Sequence, residues 1–89
     1  MSGFLGGSAY AMSRDIAEGY VLVTERTFRG MQAGDLSKLS HEIERYMREL
    51  RGAQVSTDEI AVIQARARKV QRLNGAMVVL RAYALKTQR

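Results

Sequence analysis

The 89-residue sequence has no cysteine, no proline and no tryptophan, and it holds a single histidine. The missing cysteine excludes a disulfide framework, a thiolate metal site and a thiol nucleophile. The missing proline, with aromatics at only 7%, favours long uninterrupted helices over a turn-rich β fold. Long apolar runs are absent too. The longest, Ala76-Met77-Val78-Val79-Leu80, is closed by Arg81 and falls far short of the about 20 residues that span a bilayer. Met1–Ser8 lacks the positive and apolar regions of a secretory signal, and glycine at position 3 rather than 2 removes the usual myristoylation reading. The expected location is therefore the cytoplasm, with export by a dedicated secretion machine that cleaves no signal as the exception.

What chemistry remains is thin. His41-Glu42 begins like a zinc-protease helix, but Arg45 stands where the second histidine would be. One histidine without cysteine, and without a cluster of carboxylates, gives no transition-metal site. Ser37 and His41 lie four apart on one helix face, yet that face reads as solvated. Gly3-x-x-Gly6-Gly7 lacks the Lys-Ser/Thr and the preceding strand of a phosphate loop. A non-enzymatic protein is expected, with no catalytic residue, no cofactor and no metal.

Length and composition suit one small all-α domain, with 46% hydrophobic and 26% charged residues close to globular averages. Six of the eight glycines fall in the first 34 residues, and residues 1–8 read as a flexible tail ahead of a helical domain over 9–89. Ile16, Tyr20, Val23 and Thr27 follow helical spacing, with Ser13 as a cap. Tyr20-Val21-Leu22-Val23-Thr24 could equally be a strand. A lone strand has no partner to pair with, so a helix over about 13–31 is expected, weakened at Gly19.

Leu36, Leu39, Ile43, Tyr46, Leu50 and Ala53 form a heptad stripe on a second helix, about 35–51, with Asp35 capping it and Gly52 as a left-handed stop. A third helix, about 57–87, opens on the capping box Ser56-Thr57-Asp58-Glu59. Its stripe runs Ile63, Val70, Leu73, Met77, Leu80, Ala84, with Arg66 among them. The short loop between the second and third helices predicts an antiparallel helical hairpin, on which the N-terminal helix packs as a third element.

Two features of the third helix bear on function. The first is charge. Residues 57–89 hold seven bases and two acids, so the entire net charge of +5 lies there, and no acid follows Glu59. Arg68, Arg72, Lys86 and Arg89 form a basic face: either a merely solvated surface or contacts for phosphate or an acidic partner. No aromatics interleave with these bases apart from Tyr83, and no helix-turn-helix is evident. The second feature is girth. From Ala76 to Leu85 apolar residues occupy nearly the whole circumference: Val78 and Leu85 lie to one side, Val79 and Tyr83 to the other. One partner helix hides one side only. The second side is covered by the N-terminal helix or by another chain. Leu73, Met77, Val79, Leu80 and Tyr83 are the expected partner anchors, and Val79→Asp with Tyr83→Ala is expected to dissociate an oligomer while sparing helicity.

Arg48-Glu49-Leu50-Arg51-Gly52-Ala53, followed by Ile60-x-x-Ile63-Gln64-Ala65-Arg66-Ala67, resembles the small helical-hairpin proteins of type III secretion, the needle subunit and the needle co-chaperone. The likeness covers residues 36–85 and consists in size, layout and helix-forming residues. It departs from the needle pattern in having no proline in the inter-helix loop, and from the co-chaperone in its basic third helix. No functional residue is carried over. The resemblance implies an assembly or export role through a hairpin that buries its stripe against other subunits. The expected function is helix-mediated protein–protein assembly, as an adaptor or chaperone module whose partner is another copy or another chain. The alternative is a small basic nucleic-acid-binding protein that uses the C-terminal helix.

Overall fold

The computed structural model describes residues 7–52 and 59–87. Four helices carry the fold: α1 Ala9–Glu18, α2 Glu25–Phe28, α3 Ala33–Gly52 and α4 Ile60–Thr87. The fold is all-α, and no strand occurs among the described residues. Near the end of α3, Arg51 lies beside Ile63, Arg66 and Val70, whereas Glu44, about two turns earlier, reaches Arg81. Advance along α3 thus matches retreat along α4, as the antiparallel hairpin requires. α1 packs against both long helices, and α2 packs on α4.

The N-terminal third differs most from its sequence reading. The helix expected over 13–31 is two helices and a linker. α1 begins at Ala9 because Ser8, not Ser13, is the cap: its hydroxyl accepts from the Ala11 N–H at 3.1 Å. Ser13 is buried inside the helix and its hydroxyl donates to the Tyr10 carbonyl at 2.7 Å, which satisfies it without a tertiary partner. Gly19 does more than weaken the helix. It adopts φ +84°, its N–H donates to Ile16 O, and the Tyr20 N–H donates to Asp15 O. This pair of bonds is a Schellman stop. The linker beyond keeps a strand-like alternation without becoming a strand. Val21 and Val23 pack on the core, while Tyr20 and Leu22 are 79% and 87% exposed. Thr24 then opens the single turn α2, its N–H donating to Thr27 Oγ1.

α3 starts at Ala33, two residues earlier than expected. Asp35 sits in its first turn and accepts from the Gln32 N–H at 3.3 Å, so its carboxylate reaches back to the cap residue instead of being the cap. Gly52 belongs to the helix, and it is not among the described glycines of positive φ, which are Gly7, Gly19 and Gly30. The capping box at 56–59 and Ala53 fall mainly outside the described residues.

The core joins all four helices: Met12, Ile16 and Ala17 of α1, Phe28 of α2, Leu36, Leu39, Ile43 and Met47 of α3, and Leu73, Ala76, Met77 and Leu80 of α4. On α3 the stripe turns toward Met47, leaving Tyr46 and Leu50 half-buried. On α4 it is fully buried only from Leu73 onward. Val70 and Ala84 are half-buried, and Ile63 is 52% exposed.

Phe28 is wholly buried, with its ring 5.8 Å from that of Tyr83, and it pins the irregular linker to α4. Phe28→Ala is expected to cost about 3–5 kcal/mol. For a domain of this size that corresponds to a loss of more than about 10 °C in Tm, read by thermal or urea unfolding. A change below about 1 kcal/mol would show that α2 does not anchor the fold.

Candidate functional site

α4 is longer than either neighbour, 28 residues against 20 for α3 and 10 for α1. Its flank toward the N-terminal segment is covered. Val79 and Tyr83 are half-buried against the core, and Tyr83 meets Phe28. Its opposite flank is bare: Val78 is 63% and Leu85 70% exposed. The bareness extends to the start of the helix, where Ile60 is 68% exposed and Ile63 and Ala67 also face solvent. Five turns take about 18 residues, so Ile60 and Val78 share one line, and Ala67 and Leu85 share its neighbour. The result is one apolar row along the outside of α4, interrupted at mid-length by Gln71 and Asn74, both exposed.

The anchors expected from sequence therefore divide. Leu73, Met77 and Leu80 are buried between α1 and α3, so they hold the protomer together and a docking partner cannot reach them. Val79 and Tyr83 are half-covered by the N-terminal segment. Substituting that pair would strike the fold as well as any interface, contrary to the expectation of intact helicity. Of the exposed row, Val78 and Leu85 stand out in the sequence as apolar residues on one side of the helix. Ile60 and Ala67 join it by the five-turn spacing, a signal that was present in the sequence.

The basic face also divides. Arg72 Nη1 donates to the Ala17 carbonyl at 2.9 Å, one of the last carbonyls of α1, and its guanidinium lies against Gly19. Lys69 Nζ is 3.0 Å from Glu18. Two cations of α4 thus sit at the negative end of the α1 dipole. Lys86 meets Glu25 of α2 at 3.4 Å, and Arg81 meets Glu44 of α3 at 3.2 Å. Four of the seven bases of 57–89 therefore tie α4 to other helices. Arg68 is exposed and forms no ion pair or hydrogen bond among the described residues, while Arg89 lies outside them.

Elsewhere, Ser37 and His41 line a shallow groove with Tyr10 and Glu42, and no hydrogen bond joins them. Among the described residues no group of three His, Asp or Glu could hold a metal ion. No described helix is long and apolar enough to cross a membrane. No family model, curated protein or solved structure matches the chain.

Arg72→Met retains the aliphatic stem and deletes the bond to Ala17. It is expected to lower stability by about 1–2 kcal/mol, whereas Arg68→Ala should stay within about 0.5 kcal/mol of the parent. Urea titrations of the two variants separate these outcomes. Equal, negligible effects would show that the latch on α1 contributes nothing.

Proposed function

We propose that this chain is a helix-mediated assembly module that engages another protein chain through the outer face of α4. The observation that carries this is the solvent exposure of Val78 and Leu85 opposite the buried Leu73, Met77 and Leu80, on a line that Ile60 extends into the helix start, which is exposed all round. Exposed apolar area that is contiguous, unlike scattered single residues, marks interaction surfaces. Large aliphatic side chains in a row are what an amphipathic partner helix takes up. An adaptor or chaperone role fits such a surface. A link to protein export rests on the resemblance to secretion hairpins alone.

The alternative, nucleic-acid binding through α4, has less to draw on. Of its four candidate contacts, Arg72 and Lys86 are engaged on Ala17 and Glu25. Displacing Arg72 would give up its bond to α1, and displacing Lys86 an exposed ion pair with α2. What remains described is Arg68, without a stacking aromatic beside it.

The two readings separate in one experiment. Tagged wild-type chain and the Val78→Asp/Leu85→Asp variant are purified from native lysate, each with and without nuclease and at low and high salt. Both side chains are largely exposed, so the variant should keep the parent's far-UV circular dichroism and unfold within about 0.5 kcal/mol of it. The expected result is a bound protein that survives nuclease and high salt and is lost in the variant. Nucleic acid retained equally by both proteins, with binding that falls steeply with salt, would overturn the assembly reading.

A further inference from the structure

The exposed row on α4 reads nearly alike in both directions. About a point between Arg72 and Leu73, Ile60 is as far on one side as Leu85 on the other, Ile63 as Ala82, Ala67 as Val78, and Gln71 as Asn74. All eight are exposed. Resting on the assembly reading above, we propose that the partner is a second copy of this chain, docked with the two α4 helices antiparallel about a two-fold axis beside the Arg72–Leu73 peptide.

Two-fold interfaces require a surface complementary to itself, with residue i on j and j on i. The row meets that requirement. Aliphatic groups meet at the two ends, Ile60 on Leu85. Inside them each large side chain faces an alanine, which lets the surfaces interdigitate. At the axis, carboxamides meet carboxamides. Gln71 and Asn74 can each donate and accept, and a polar pair at the centre of an apolar seam sets register and orientation.

Charge selects the same arrangement. The cations Arg66, Arg68, Lys69 and Arg72 crowd the first half of α4, while 73–80 carries no charge at all. In the antiparallel pair each crowded stretch lies level with the partner's neutral one. Arg81 lies level with Gln64, and Lys86 with Glu59. A parallel pair would set every cation level with its own copy, in a chain of net charge +5. Of the cations that flank the row, Arg81 turns its guanidinium to Glu44 and Lys86 meets Glu25, and the row itself carries no charged residue, as interface centres are depleted of charge. The strip is about 38 Å long and about one helix diameter wide. That is small for a stable dimer, so association in the micromolar range is expected.

The cysteine-free sequence allows single spin labels to be placed on the flanks of the strip, at Ala61→Cys and at Arg68→Cys, both exposed. Label-to-label distances in the full chain then read the geometry. From the helical rise, the antiparallel pair offsets the two Ala61 sites by about 35 Å along the axis and the two Arg68 sites by about 13 Å. The expected result is a long distance for the first label and a short one for the second. Both couplings should vanish when Val78→Asp/Leu85→Asp is added. Short distances at both sites would mean parallel packing and would overturn the proposal while leaving assembly through α4 intact. Couplings that persist in the aspartate variant would place the dimer contact elsewhere and overturn it as well. A monomer in sedimentation at millimolar concentration, with no coupling, would also overturn it. If the lysate partner still depends on Val78 and Leu85, that result would leave hetero-assembly standing.

Discussion

A helix of 28 residues has to find cover for an apolar circumference, and the neighbours available to it are 20 and 10 residues long. Most of the architecture follows from that mismatch of lengths. α3 covers one side and α1 a second, and they meet over Leu73, Ala76, Met77 and Leu80, where burial is essentially complete. Neither neighbour reaches the third side. The short turn α2 extends cover toward the C-terminal end through Phe28 and Tyr83, but on the flank of α1, not opposite it. Two neighbours on adjacent sides close a core. They leave a strip, apolar but for Gln71 and Asn74, on the side turned away from both.

The same mismatch explains the charge. Net charge concentrated in one third of a chain invites an external anionic partner as its explanation, yet four of its seven cations have a partner on another helix of their own protein. Individually the ion pairs are weak, since exposed pairs contribute about 0–1 kcal/mol. Their placement matters more than their strength. Lys69 and Arg72 meet the C-terminal end of α1, Arg81 meets the middle of α3, and Lys86 meets α2. α1 thereby gains two polar contacts, and α2 and α3 one each, that mark their positions along the long helix. The acids they use were visible in sequence only as a balanced background.

How much was legible in the sequence follows from the range of each interaction. The hairpin was readable because spacing of three and four over many turns is a local property of Leu36, Leu39, Ile43, Leu73, Met77 and Leu80. The N-terminal third was not, because two readings competed within a few residues. Gly19 decides the matter by entering the left-handed region, and the alternation of Val21 and Val23 then serves the core without any ladder. The site was half-legible. That α4 has too much apolar girth could be counted on a helical wheel. Which flank stays bare depends on where α1 docks, and that is set by contacts 55 residues apart in the chain, such as Arg72 to Ala17. Leu73, Met77 and Leu80 read as partner anchors in sequence, which shows how apolar a position is and not which chain covers it.

The ten-residue length of α1 has a consequence for how the molecule breathes. Isolated helices shorter than about 12–15 residues are marginal in water, so α1 persists as a helix only while seated. Seating and helicity are lost together: when Arg72 and Lys69 let go, the segment unwinds instead of swinging out as a rigid arm. Loss of α1 is thus a coil transition at the front end of the protein, and it lays Met77 and Ala76, buried beside it, open to water.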